Sequence, residues 1–412
     1  MRPLFYALPL LALSHTLGER PFLVPDESWP RHTIDASSEG ADGVKLGDVN
    51  NDGFLDIVTG WEQGNQTRIY VHPGLERVTE QWSSAKIGDT PSVEDAVWVD
   101  LNGDDYLDVV TSCEGKDMAM YLHFAPKNGN VLDESQWTQL ELPGSKNKTR
   151  WMFAEPVKLE IGSKTRHVIF AASKDPNGVV GIWEIPSNPE NPKANWKWKP
   201  LAETGWVMDV FAEDMDNDGD LDFLYVDRKG EFRAARWLEN PGSPEVRWQN
   251  HLIGGSDLEQ LFGKVVDLDQ DGLTDLLLTA KDRKVVWWRR LDKTGDSWER
   301  HSFEYPENTG RDKAVAVGDL DQDGLADLVI TCESADPPKQ GTFWIQQVAD
   351  QPFEKWRPRG MAGSDGIKFD RIELIDLDRD GDLDVLTCEE RHVVYEGKRG
   401  LGVFWYENPH IQ

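Results

Sequence analysis

Residues 48–56 read Asp48-Val49-Asn50-Asn51-Asp52-Gly53-Phe54-Leu55-Asp56, and the chain passes straight from them into the β-branched run Ile57-Val58-Thr59. Oxygen-bearing side chains stand at positions 1, 3, 5 and 9 of this stretch, and position 6 is glycine. Calcium takes about six to eight oxygen ligands from carboxylates, carbonyls and water. Side chains at those four positions, with the main-chain carbonyl of position 7, can wrap one such ion. The sharp turn this requires at position 6 favours glycine. The candidate ligands of the first loop are therefore Asp48, Asn50, Asp52, Asp56 and, through its carbonyl, Phe54.

The pattern returns five more times. The second copy offers Asp100, Asn102, Asp104, Tyr106 and Asp108. The third offers Asp214, Asp216, Asp218, Asp220 and Asp222, and the fourth Asp267, Asp269, Asp271, Leu273 and Asp275. The fifth offers Asp319, Asp321, Asp323, Leu325 and Asp327, and the sixth Asp376, Asp378, Asp380, Asp382 and Asp384. About six calcium ions are expected. Position 6 is glycine except in the second copy, where Asp105 stands. Asp tolerates left-handed backbone better than most residues, so this site is expected to be weaker, not lost. An EF-hand needs a Glu at position 12 and flanking helices. Position 12 is Thr59, Thr111, Tyr225, Leu278, Ile330 and Thr387, and strand-like sequence follows each loop.

The first Asp residues of successive copies are separated by 52, 114, 53, 52 and 57 residues. The double gap predicts a degenerate copy near residue 160. Val157-Lys158-Leu159-Glu160, followed by His167-Val168-Ile169-Phe170-Ala171, has the apolar register without the carboxylates. Tryptophan supplies a second count. Trp29, Trp82, Trp137, Trp196 or Trp198, Trp248, Trp298 and Trp356 each open a short segment ahead of a Gly/Asp/Ser-rich linker. A third series, at 69–73, 121–126, 182–186, 236–241 and 404–409, precedes these segments. Seven units of four short strands, at a period of about 50 residues, are the pattern of propeller blades. The chain starts on a Trp strand (29–34) and ends on a strand of the third series (402–409). The last blade is thus predicted to take its outer strand from the N-terminal end, which leaves no open edge.

On these Asp loops the chain resembles the FG-GAP/VCBS repeat family, best known from the seven-bladed propellers of integrin α-chains. The resemblance covers nearly all of residues 19–412. It implies an all-β, seven-bladed β-propeller of four-stranded blades forming one domain. The Phe-Gly…Gly-Ala-Pro signature is not visible, so the likeness is to the calcium-loop branch. No inserted domain interrupts the repeats, which argues against integrin function. Some calcium-loop propellers are lyases or dehydratases acting on sugar acids or keto sugars, and the resemblance admits that alternative.

The formal net charge of −30 follows largely from the loops, whose liganding positions supply 22 carboxylates. This acidity disfavours nucleic acid and anionic membranes as partners. Residues 1–18 combine one positive charge, a short apolar run and small residues, the pattern of a secretory signal. The run is too short to span a membrane. Millimolar calcium outside the cytosol suits weak sites, so a secreted, periplasmic or cell-surface monomer is expected. Cys113, Cys332 and Cys388 follow the second strand at equivalent places in three blades. Sheets stack about 10 Å apart, too far for disulfides, so buried free thiols are expected.

No phosphate-binding Gly loop, nucleophile elbow or metalloprotease motif is present. His32, His251 and His301 lie in a repeated Trp-x-x-His and read as structural. Function in a propeller sits where the repeats differ, which is on the face opposite the Asp loops. The candidates there are Glu114, Lys116 and Asp117, then Lys174, Asp175 and Asn177, then Lys281 and Arg283, then Glu333, Asp336 and Lys339. The last blade adds Glu389, Glu390, Arg391, His392, Glu396, Lys398 and Arg399, and the linkers add Lys146 to Trp151, Arg311 to Lys313 and Lys368 to Arg371. A protein or glycan ligand is expected there, with Arg and Lys gripping carboxylates and Trp61, Trp151 or Trp206 stacking on sugars. In the lyase alternative the base would be His392 or Lys368.

Overall fold

The computed structural model describes residues 23, 28–161, 164–243, 246–348, 356–391 and 399–409. The expected leader and His392, Glu396 and Lys398 lie outside them. Among the described residues the strands form seven four-stranded antiparallel sheets, six of them meanders of consecutive strands and the seventh three consecutive strands completed by the first strand of the chain. The seven first strands are Ala41–Gly47, Val93–Val99, Arg150–Ile161, Val207–Glu213, Gln260–Val266, Arg311–Gly318 and Phe369–Ile375. Each packs against the first strand of the next blade, and the last packs against the first, which closes the ring. The period-50 repeat is therefore one blade per repeat.

Closure follows the strand phase. Arg31–Asp35 pairs antiparallel with Gly402–Tyr406, with His32 opposite Trp405. The outer strand begins just after Trp29, which is buried beside Trp344. The degenerate third blade has no Asp loop, and its first two strands instead run on as one long hairpin. Pairing continues from Arg150↔Lys174 to Ile161↔Lys164. Trp196 is the buried counterpart of the other outer tryptophans, while Trp198, inside the strand, packs on Trp151 and Trp183.

Apolar side chains fill the spaces between blades. One cluster joins blades one and two through Val58, Ile69, Ala96 and Val109, and another joins blades seven and one through Trp61, Tyr70, Leu386 and Trp405. The histidines of the outer strands are part of this packing. His32, His251 and His301 lie in register opposite Trp405, Trp237 and Trp287, with ring centroids 4.6, 4.0 and 4.8 Å apart. Each also contacts a glutamate. The three cysteines are buried and free, and burial pushes each thiol upward. Among the described residues no helix is long and apolar enough to cross a membrane.

Candidate metal centres and the charged face opposite

The six Asp loops connect the first and second strands of blades one, two, four, five, six and seven, so they share one face. Their hydrogen bonds repeat. The position-3 oxygen accepts the N–H of position 5 in all six. The position-5 carboxylate accepts the N–H of position 7 in all six. In five loops the position-1 carboxylate spans the N–H groups of positions 5 and 6. The backbone turns left-handed at position 6, including Asp105 at φ 68°. It also does so at position 4, where Asn51, Asn217, Gln270, Gln322 and Arg379 stand in five loops and Gly103 in the second. Two of these position-4 side chains stitch neighbouring loops together. Gln322 donates to Gly381 O and Arg379 to Gly53 O, both at 2.6 Å.

Position 9 has a second job that its ligand reading did not reveal. Asp56, Asp108, Asp222, Asp275, Asp327 and Asp384 are all 1 % exposed or less. In each, one oxygen accepts the N–H of position 2 of its own loop, and the other accepts an N–H at the end of the third strand. For Asp222 the donors are Met215, at 2.8 Å, and Asn240, at 2.7 Å. The other five repeat this clamp. Burial, against those hydrogen bonds, pushes the six carboxyls up to between about 6 and about 8.

The donor set fits a hard cation, since every side-chain donor in the six loops is an oxygen. Ligand oxygens of Asp214, Asp216 and Asp218 lie within 4.8 Å of one another, as do those of Asp267, Asp269 and Asp271 and of Asp319, Asp321 and Asp327. Buried oxygens of Asp220 and Asp376 have no protein hydrogen-bond partner. Protein donors also reach these carboxylates. Arg289 approaches Asp269 at 2.5 Å and Asp271 at 3.2 Å, and Gln346 donates to Asp321 at 2.5 Å.

The opposite face collects the strand 2–3 connections, the linkers and a set of buried charges. Every first strand carries a register shift close to its start. A bulge breaks the alternation of side chains and re-aims them. Asp42, Asp95, Asp209, Lys313, Asp370 and Arg371 all sit at these shifts. Arg371 lies over Phe153 at 4.7 Å and Phe262 at 4.2 Å and bonds Asp209 at 3.0 Å. Phe153 and Phe262 come from non-adjacent blades and meet edge to face at 5.4 Å. Together these side chains plug the axis.

Above the plug, charge is sorted by sector. On blades seven, one and two, carboxylate oxygens of Asp42, Glu62 and Glu390 lie within 4.8 Å of one another, and so do those of Glu62, Glu94 and Glu114. Burial and the charge of Asp370 raise the Asp42 carboxyl well above its usual range, while Lys313 holds Asp370 low against burial. Burial also pushes Glu94 up to about 7 against the pull of Lys174. Cations gather where blade three meets blade four. Lys174, Lys229 and Arg228 surround the Trp206 ring at 4.3, 4.4 and 5.2 Å. Lys313 joins the sectors, 3.2 Å from Asp370 and 2.9 Å from Glu390, and Lys368 pairs with Glu390.

Of the aromatic platforms expected on this face, only Trp206 remains. Trp61 and Trp151 are both fully buried, because their indoles fill inter-blade space and donate to Tyr70 and Ser145 O. Lys368 stands as a counter-charge to Glu390. Of the buried acids of the first strands, Asp312 and Asp370 fell within the linker candidates, while Asp42, Asp95 and Asp209 were missed. They do leave a signal, since Asp42, Asp95, Asp209, Asp312 and Asp370 each precede an Asp loop by five to seven residues.

Residues 48–111 and 267–330 match the FG-GAP-like repeat family. The chain is similar to the solved structure of YCF48 from Cyanidioschyzon merolae, at 10% identity with a TM-score of 0.54, over 93% of this chain and 99% of that one. That likeness is one of fold. No curated protein matches the chain. The two matched stretches thus lie within a seven-bladed propeller and span its first, second, fourth and fifth Asp loops.

Proposed function

We propose that this propeller, with its FG-GAP-like repeats, is a calcium-stabilised binding module, exported as a monomer starting near residue 19, that holds a protein or carbohydrate ligand on the face opposite its Asp loops. Repeats of this family often bind calcium, and the all-oxygen loops suit it. Asp48, Asp100, Asp214, Asp267, Asp319 and Asp376, with the ligands that follow each, would hold the ions. Their role is architectural, since an ion there ties the first two strands of a blade together.

The observation that carries the binding reading is the set of charges buried at the first-strand bulges. Burying ion pairs gains little or no stability over apolar packing, and the ring already closes through apolar clusters. Charges kept at such a cost, gathered at one end of the axis, suit recognition of a polar ligand. Glycan and peptide arrays test it. Lys174→Gln is expected to abolish the retained signal, and Asn217→Ser, on the Asp-loop face, to leave it. Retention sensitive only to the Asp-loop change would overturn the reading.

A second reading, a sugar lyase or dehydratase, draws on Glu94, a carboxyl held near neutrality beside Lys174. Incubation with uronate polymers would then yield the ultraviolet absorbance of an unsaturated product. Unchanged ligand leaves the binding module.

A further inference from the structure

A pocket of about 340 Å³ opens between blades four, five and six on the charged face. Four of its lining residues are cations: Arg228, Lys281, Arg283 and Arg311. Three are acids, Asp282, Asp312 and Glu333, and Leu261 is apolar. In a chain of net charge −30, this lining sums to one positive charge.

Two features show that the cations are placed at a cost. Lys281, Asp282 and Arg283 form the three-residue turn between Ala280 and Lys284, with φ 74° at Asp282 and 63° at Arg283. Left-handed backbone favours glycine, and a residue such as arginine there is strained. The chain spends that strain to bring Arg283 to the pocket. Beside it, Glu259 is gripped by Lys281 at 2.9 Å and Arg228 at 3.3 Å. Although burial opposes it, the bond to Lys281 and the surrounding cations hold the Glu259 carboxyl below its usual range. These cations thus already seat carboxylates, as Arg311 does Glu333 at 3.2 Å, and a ligand carboxylate would take the place of one of them.

We propose that this pocket binds a single sugar-acid unit, with its carboxylate on Arg228, Lys281 and Arg311 and its hydroxyls on Asp282, Asp312 and Glu333. The inference rests on the reading of this face as the ligand face. Cations interleaved with carboxylates match a molecule that carries one negative charge and several hydroxyls. The three acids repel a dianion such as phosphate, and a single apolar side chain gives little purchase to a peptide. The volume lies at the low end of small-molecule sites, which run from about 300 to 1,000 Å³.

The test is calorimetric titration of the calcium-loaded chain with glucuronate, glucose and a Glu-Asp dipeptide at low salt. Glucuronate is expected to bind at least about tenfold more tightly than the other two, a difference of about 1.4 kcal/mol. Arg311→Gln and Lys281→Gln are expected to weaken it at least about tenfold while the unfolding temperature stays put, because both side chains are exposed. Equal affinity for glucose, tighter binding of the dipeptide, or no glucuronate binding overturns the proposal. So does binding that ignores both substitutions. If array ligands still bind in a Lys174-dependent way, only the pocket assignment falls and the binding-module reading stands.

Discussion

Asp222→Ala should unfold the propeller more easily even with no calcium present. Its carboxylate accepts the N–H groups of Met215 and Asn240 and is 1 % exposed. Truncation leaves two buried donors unsatisfied, each costing about 1–3 kcal/mol. The expected loss is therefore about 2–6 kcal/mol, read as a lower denaturation midpoint in urea with chelator. Asp218, at position 5 of the same loop, is exposed and accepts only the Asp220 N–H. Asp218→Ala should cost less than about 1 kcal/mol in chelator, as for a solvated hydrogen bond. With calcium added, both variants should gain less stability than the parent, since both lose a ligand. Equal losses in chelator would refute the argument, because position 9 would then be a metal ligand and nothing more.

Arg371→Met should destabilise the chain by about 3–5 kcal/mol by leaving the Asp209 carboxylate buried without its cation, and adding Asp209→Asn should restore much of it; chemical denaturation of both variants measures this. Burial, opposed in part by Lys45, pushes Glu155 up to about 7 from 4.5. The folded state therefore binds more protons between those values, and stability from this group falls as pH rises through that window. Glu155→Gln should flatten that fall in a pH series of unfolding midpoints. Asp105→Gly relieves a left-handed non-glycine residue at φ 68°. It should add about 1 kcal/mol and tighten calcium at the second loop, visible in unfolding with graded calcium.

Blade number, ring closure and the carboxylate loops were legible because they repeat. Each copy of the Asp pattern confirms the others, and the double gap between Asp100 and Asp214 marks blade three even though its loop has become a plain hairpin. The charged axis was legible only in part, since Asp312, Lys313, Asp370 and Arg371 stood among the linker candidates but Asp42, Asp95 and Asp209 did not, although these Asp residues recur just upstream of the loops. Their direction depends on a register shift at the start of each first strand, and strand alternation alone does not reveal where the shift falls. Asp42 and Arg371 face the axis through such shifts. Trp61 and Trp151 were misread for a related reason. Neighbouring loop sequence suggested an exposed rim, but each indole reaches back into the space between blades, where an aromatic ring buries the most area. Trp206, in a linker beside three cations, packs on the core but stays partly exposed.

The most direct test is the unfolding temperature of the chain from about residue 19, in millimolar calcium and then in chelator. A loop with calcium at a hundredfold its dissociation constant contributes about 2.7 kcal/mol, and several loops together should raise the midpoint by many degrees. That rise is the expected result. An identical midpoint in both conditions would leave the loops as hydrogen-bonded turns and contradict the calcium-stabilised propeller.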